Sequence, residues 1–190
     1  MEQNAEQQTR CGFAALIGAP NAGKSTITNN FVGSKVSIVS PKVQTTRTMV
    51  RGIGVYEQTQ IIFIDTPGIF KPKRRLDRAM VSSAWSGVKD ADIVVLVVDA
   101  KRGFDDETQS IVAKLNKQKI EAILVLNKVD LIAKEKLLGL SAQINAAGNF
   151  KETFMISALT GQNIEDFYKY LADRKSTRQN SSHSRRSRMP

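Results

Sequence analysis

Between the apolar run Phe13 to Ile17 and a helical pattern opening at Lys24, the chain reads Gly18-Ala19-Pro20-Asn21-Ala22-Gly23-Lys24-Ser25-Thr26. The two glycines followed by Lys and Ser match the eight-position loop that wraps phosphate, and the strand before and the helix after make the match specific. Gly18 and Gly23 let the backbone curl so that successive N–H groups and the positive end of the following helix face an anion. Lys24 is placed to bridge β- and γ-phosphate oxygens, and Ser25 to offer a hydroxyl to magnesium. A strand, a glycine-bounded turn and a helix in this order commit the chain to an α/β fold.

The rest of the sequence agrees with that commitment. Apolar runs alternate with helical patterns, the sign of a mostly parallel sheet with helices on both faces. Strands are predicted at Phe13 to Ile17, Met49 to Tyr56, Gln60 to Ile64, Ile93 to Asp99, Ala122 to Leu126 and Thr153 to Ile156. Several lack alternation and should be buried on both faces. Helices are predicted to start at Lys24, near Leu76, near Asp105 (capped from the cluster Asp105, Asp106 and Glu107), near Lys134 and at Asn163. The second and third strands lie too close in sequence for a crossover helix, so they should pair as one antiparallel edge. No internal repeat is visible, and no linker interrupts Gly12 to Leu171.

Length and charge set the outer limits. A chain of 190 residues, 41% of them hydrophobic, can bury one sizeable core and is short for two. Residues 12–172 are assigned to that domain, 1–11 to an N-terminal extension and 173–190 to a basic tail. From Arg174 onward the tail carries Arg174, Lys175, Arg178, Arg185, Arg186 and Arg188 and no acid, so of 28 bases only 22 face the 18 acids before it. Most of the net charge of +10 therefore lies in the tail. Rich in serine and arginine and without apolar periodicity, it should be disordered. It reads as an RNA-binding arm, as a solvated inert tail, or as a segment foreign to the native protein. Cys11 is the one cysteine, which excludes an intramolecular disulfide. The polar stretch Met1 to Arg10 lacks the order of a signal peptide, and no apolar run reaches the roughly 18 residues of a membrane span. A soluble, cytoplasmic protein is expected.

Two more motifs stand at strand ends. Asp65-Thr66-Pro67-Gly68 follows the apolar run Ile61 to Ile64. A carboxylate there can hold magnesium through water, and the Gly68 amide can sense a γ-phosphate. Alone, the tetrapeptide reads as a strand-ending turn; downstream of a phosphate loop it reads as that loop's partner. Asn127-Lys128-Val129-Asp130 lies at the carboxyl edge where open α/β sheets bind ligands. The Asp130 carboxylate can accept hydrogens from N1 and the 2-amino group of guanine, where adenine presents no donor. Asn127 can tie this loop to the phosphate side, and the Lys128 stem can cover the base. A site that leaves an analogue's polar partners unpaired rejects it, so ATP is disfavoured. In isolation Asp130 would read as a helix cap.

Together these motifs resemble the translation-factor-related class of P-loop GTPases, from Gly12 to about Leu171. The resemblance implies GTP bound with magnesium and hydrolysed to GDP and phosphate. Ser157-Ala158 matches that class's final motif, whose backbone amide meets guanine O6. Pro41-Lys42-Val43-Gln44-Thr45-Thr46-Arg47 is similar to the effector loop of the Era family of ribosome-assembly GTPases, with the tandem-domain Der and tRNA-modifying MnmE families as near relatives. The short N-terminus, Gln44-Thr45-Thr46-Arg47 and Asp65-Thr66-Pro67-Gly68 favour Era. By this resemblance Thr45 or Thr46 supplies a magnesium ligand beside Ser25 and Asp65, and the sequence does not decide which. Lys24, Thr45, Thr46 and Gly68 then form the catalytic set. Gly18 to Thr26, Asp65 to Gly68, Asn127, Lys128, Asp130, Ser157 and Ala158 hold the nucleotide. The implied partners are the small ribosomal subunit and its RNA, with a role in subunit assembly and ribosomal RNA processing. A monomer in the cytoplasm is implied, with peripheral contact to the inner membrane as a further expectation. In such GTPases an asparagine at the place of Asn21 helps hold a potassium ion, with the remaining oxygens expected from the backbone near Ser37 to Ser40. The plainer reading is that Asn21 bonds its own loop.

Departures from the pattern carry their own expectations. Era proteins have a KH-type domain for ribosomal RNA, and beyond Leu171 there is neither the length nor the GXXG loop for one, so RNA binding should be weak and tail-dependent. The phosphate loop reads Asn-Ala-Gly where relatives commonly have Asn-Val-Gly, a change of little expected consequence. Ile69 follows Gly68 where Ras-like proteins place a glutamine that orients the attacking water. Two rival readings are a nucleotide-gated binding module with negligible hydrolysis and an RNA-binding fragment driven by the tail. Cys11 is expected as a small core residue and Trp85 as helix packing, while His183 lies in the tail; none fits a catalyst or zinc ligand. Lys71, Lys73, Arg74, Arg75 and Arg78 form a basic cluster expected on a loop, either solvated or against RNA.

Overall fold

The computed structural model describes residues 10–34, 44–45, 48–57, 59–64, 66, 68–69 and 75–182. In chain order its elements are β1 (Arg10–Ile17), α1 (Lys24–Ser34), β2 (Gln44–Thr45), β3 (Thr48–Tyr56), β4 (Thr59–Ile64), α2 (Arg75–Asp90) and β5 (Ile93–Asp99). There follow α3 (Asp106–Lys117), β6 (Ala122–Asn127), α4 (Lys134–Ala147), β7 (Phe150–Ile156) and α5 (Ile164–Ser182), with a 3-10 turn at Val129–Leu131. The strands make one seven-stranded sheet in the order β2-β3-β4-β1-β5-β6-β7. β1 pairs parallel with β4 and β5, β5 with β6, and β6 with β7. β3 is antiparallel to both β4 and β2, so among the described strands it alone runs against the rest. β2 adds two residues outside it. Because β1 lies between β4 and β5, successive crossovers leave it in opposite directions, which opens a crevice at the carboxyl ends of β1 and β5.

The unalternating runs are central strands, as their sequences require. Every residue of β6 is buried. Along β5, Val95 and Val97 join a core with Ile27 and Phe31 of α1 and with Phe167, Tyr168 and Leu171 of α5. Val94, Leu96 and Val98 point the other way, onto Trp85 of α2, Ile111 and Leu115 of α3, and Leu140 and Ile144 of α4. This two-residue period puts helices on both faces of one sheet. Phe31 meets Phe63 and Tyr168 edge-on, with ring centres 5.2 and 4.4 Å apart. The Tyr168 hydroxyl donates to the Ile27 carbonyl at 2.7 Å, joining α5 to α1. Burial pushes that phenol well above its ordinary range, so the proton and the bond persist at any ordinary pH. Asp105 caps α3 as predicted, accepting the Thr108 amide at 2.8 Å.

Three expectations are corrected. Cys11 is exposed: it shares a strand face with the buried Ala15 and Ile17 but lies at the open start of β1, where Phe13 is also exposed. The tail expected to be disordered from residue 173 continues α5 as far as Ser182. The turns fixed by Phe167, Tyr168 and Leu171 supply the nucleus, and a formed helix extends at little cost per residue. Residues 183–190, with His183, lie outside the described residues. Arg75 and Arg78, expected on a loop, belong to α2, whereas Lys71, Lys73 and Arg74 fall outside the described residues. Trp85 is helix packing, as expected, with the Lys114 ammonium 4.3 Å from its ring centre. Among the described residues no helix is long and apolar enough to cross a membrane.

Candidate functional site

Each described motif follows the carboxyl end of a parallel strand. The loop 18–23 leaves β1, Thr66 and Gly68 follow β4, Lys128 to Asp130 follow β6, and Ser157-Ala158 follow β7. Parallel pairing therefore brings segments far apart in sequence to one edge of the sheet.

The loop after β1 is shaped by backbone. Gly18 has φ +153° and Gly23 φ +99°, and a Cβ on Gly18 would fall 2.2 Å from the Val97 carbonyl oxygen. A Cβ on Gly23 would fall 2.1 Å from the Asn127 amide nitrogen. Glycine is required at both places. Asn21, at the exposed tip, takes the left-handed conformation with φ 62°, which asparagine tolerates better than most residues. The Lys24 ammonium folds back to donate to the carbonyls of Gly18 at 3.0 Å and Ala19 at 2.8 Å. A positive charge thus sits inside the curl, at the amino end of α1, where the helix dipole adds to it. Ser25 and Thr26 lie half-buried in the first turn of α1.

On the other side of the crevice the shape is held by side chains. The buried Asn127 amide donates to the Ala22 carbonyl at 2.9 Å, and its oxygen accepts the Ala158 amide at 3.0 Å. One side chain thereby fastens the phosphate loop to the last motif. Lys128 has φ 65°, and its ammonium donates to the Asn21 carbonyl at 2.8 Å. The left-handed residue turns the chain into the short 3-10 turn that presents Asp130 to solvent. Ser157 is fully buried, and its hydroxyl accepts the Thr160 amide at 3.2 Å. The Asn30 amide of α1 donates to the Ala158 carbonyl, a second tie across the site.

The segment after β4 also touches the loop. The Thr66 hydroxyl bonds the Leu16 carbonyl, and the Ile69 amide donates to the Gly18 carbonyl at 2.9 Å. A Cβ on Gly68 would meet the Pro20 ring and backbone at 3.0 Å, so this segment packs directly on Pro20. Ile69 is 6% exposed, within the core shared by α2 and α3. Asp65, Pro67 and Thr46 lie outside the described residues, and Thr45 is described only as the β2 partner of Thr48. Ser37 to Ser40 are outside them too. Sequence reasoning passed over Asn30 and Asp99, which contact the motifs without belonging to them. Asp99 was open to discovery, since it closes β5 at the crevice; Asn30, mid-helix, carried no signal.

Comparison with known proteins agrees with this geometry. The family model described as "50S ribosome-binding GTPase" matches residues 13–128. GTPase Era of Bradyrhizobium sp. (strain ORS 278) is 60% identical over 173 residues, covering 90% of this chain and 56% of that protein. GTPase Era of Brucella melitensis biotype 1 is 54% identical over 166 residues, 87% of this chain and 53% of that protein. The chain thus spans little more than half the length of these relatives. Among solved structures, Era in complex with MgGDPNP and nucleotides 1506–1542 of 16S ribosomal RNA superposes with a TM-score of 0.72 at 37% identity, over 87% of this chain and 57% of that one. An Aquifex aeolicus Era variant bound to GDP and AlF4− gives 0.71 at 36% identity, over 86% of this chain and 56% of that one. With the family model matching well over half of its length, and with a glycine-shaped loop, an asparagine clamp and a mostly parallel sheet that agree, the chain belongs to the 50S ribosome-binding GTPase family.

Proposed function

We propose that this chain binds guanine nucleotides at the crevice between the loop 18–23 and Asp130, hydrolyses GTP to GDP and phosphate, and works as a nucleotide-dependent switch in assembly of the small ribosomal subunit. The observation that carries this reading is the position of Asn127, which bonds the phosphate loop and the Ala158 amide at once. A ligand recognised at both ends must be long enough to reach from a phosphate cradle to a carboxylate, and a nucleoside polyphosphate is. The loop amides and Lys24 would hold the β- and γ-phosphates, and Asp130 with the Ala158 amide would read the base edge. Lys24 already turns its charge inward on the loop's own carbonyls, so it needs only to exchange partners when phosphate enters.

The donor set suits magnesium, because hydroxyl and carboxylate oxygens are what a hard divalent cation takes. Ser25, Asp65 and either Thr45 or Thr46 would hold it, and when bound it supplies positive charge to the phosphate oxygens. Potassium at Asn21 is the further cation of this reading. Nucleotide exchange on Gly68 and the neighbouring Ile69 amide would order or release the segment after β4, the change a switch requires. The role with ribosomal RNA rests on similarity to Era, one solved structure of which holds a 16S ribosomal RNA fragment. Peripheral membrane contact and a monomeric state complete the reading by the same similarity.

A second reading has an observation of its own. Ile69 is buried and cannot orient water, so hydrolysis by the chain alone should be slow, as in a module gated by nucleotide and triggered by a partner. Titration with GDP, GTP and ATP, followed by single-turnover phosphate release, tests both. Guanine-selective binding with slow release supports the GTPase, binding without release supports the module, and equal ATP affinity removes the guanine assignment.

A further inference from the structure

Asp99, the last residue of β5, belongs to none of the motifs, yet it lies at a junction of the site's side-chain contacts. Its side chain is 9% exposed. One carboxylate oxygen receives the Lys128 ammonium at 2.5 Å, and the other accepts the Lys101 amide at 3.0 Å. The same ammonium donates to the Asn21 carbonyl at 2.8 Å. Lys128 therefore reaches from the base loop to the phosphate-loop tip, and its charged end is gripped between a carbonyl and a nearly buried carboxylate.

Such a position is costly for a lysine. Its stem is flexible and its ammonium prefers water, and its backbone here has φ 65°, a region seldom used by residues other than glycine, asparagine and aspartate. Asp99 offers a fixed anchor. Its carbonyl accepts the amides of Arg102 at 3.0 Å and Gly103 at 3.1 Å, and the following Ala100 amide donates to the Asn127 carbonyl at 2.9 Å. The carboxylate is thus held by the β5–β6 ladder and the turn after it, while the lysine adapts to the carboxylate. A hydrogen bond between two charged groups is about twice as strong as a neutral one, so a neutral acceptor of the same shape would grip the ammonium less firmly.

We propose that Asp99 is a positioning residue for guanine-nucleotide binding: it fixes the Lys128 ammonium at the junction of the base and phosphate loops, so that the lysine stem is held in place to cover the base. The proposal rests on the guanine-nucleotide reading above. Its effect falls on residence time, because a clamp that must open before the ligand leaves slows dissociation far more than association.

The test uses the whole chain and a fluorescent GDP analogue in stopped flow. Asp99→Asn keeps the shape of the side chain and an oxygen for the Lys101 amide but removes the charge that holds Lys128. Dissociation should quicken about tenfold with association nearly unchanged, since weakening one charge-assisted bond is worth about that factor. Lys128→Met, at a half-exposed position, should quicken dissociation similarly, and the double variant should be no faster than Lys128→Met alone. A merely structural Asp99 would instead lower the unfolding midpoint and give effects that multiply in the double variant. Wild-type dissociation from Asp99→Asn, or from Lys128→Met should Asp99→Asn not fold, would overturn the proposal, as would multiplying effects. If the wild-type chain fails to bind the GDP analogue, the guanine reading falls and the proposal with it; if it binds and Asp99→Asn behaves as wild type, only the proposal falls.

Discussion

The loop 18–23 holds its shape with backbone conformation and two glycines that admit no Cβ, whereas the loops carrying Lys128 and Ala158 hold theirs with hydrogen bonds from Asn127, Asn30 and Lys128. At Gly18 and Gly23 a change of residue is a steric event. On the base side it is a lost partner for a buried polar group. On the proposed reading the first kind of site would recognise a general anion through its backbone amides. On the same reading the second would distinguish one heterocycle from another, because each donor or acceptor there needs a counterpart. They meet at Gly23, which lies against the Asn127 amide that also bonds the Ala22 carbonyl.

The largest expected effect breaks the base side alone. Asp130→Asn should lower the preference for guanine over xanthine nucleotides by on the order of 10⁴, because an amide can donate to the xanthine 2-carbonyl where the carboxylate accepted from the 2-amino group. Competition titration with GDP and xanthosine diphosphate checks it, and unchanged GTP affinity would remove Asp130 from the base site. Next in size, Lys24→Ala breaks the phosphate side and should slow phosphate release by about 100-fold or more, the scale seen when a preorganised donor to developing charge is removed. Wild-type single-turnover release from this variant would place the active site elsewhere. Gly23→Ala sharpens the comparison by striking both sides at once. The added methyl would displace Asn127, and a destabilisation of about 1–3 kcal/mol in urea unfolding is expected with it. If guanine preference survives while only phosphate binding weakens, the two sides are less coupled than the contact implies.

The smallest expected effect concerns Asn21. GTP hydrolysis should run several-fold faster in potassium than in sodium at equal ionic strength, since a well-seated cation offsets charge on the bridging oxygen. Asn21→Ala should lose that difference while keeping GDP binding, as read by phosphate release in the two salts. Equal wild-type rates would leave the buried Ile69 without a compensating partner within this chain.

The same division explains what could be read from the sequence. Gly18, Gly23 and Lys24 were legible because a backbone cradle needs those residues at fixed spacing, and β5, β6 and the buried end of β1 because strands covered on both faces are apolar along nearly their whole length. β2 was not legible: two residues that pair with Met49 and Thr48 carry no period. Cys11 was misplaced because strand alternation says which face a residue takes but not how far along the strand its covering helices reach. The helix beyond Asp173 was missed because composition reports what a segment can bury, and this segment continues a helix anchored earlier. Asn30 and Asp99 act through partners distant in sequence, which only the assembled sheet brings near.

The bond from the Tyr168 hydroxyl to the Ile27 carbonyl has a mechanical meaning. It ties two helices: Ile27 lies in the first turn of α1, one turn from the phosphate loop, and Tyr168 lies near the start of a helix that runs on to Ser182. At 1.5 Å per residue α5 runs on about 20 Å beyond that bond, and its next turn, with Leu171 and Ala172, is still buried in the core. The start of α1 and the start of α5 are thus fastened as one unit within the core, and the phenol that couples the two helices stays protonated whatever the ordinary pH.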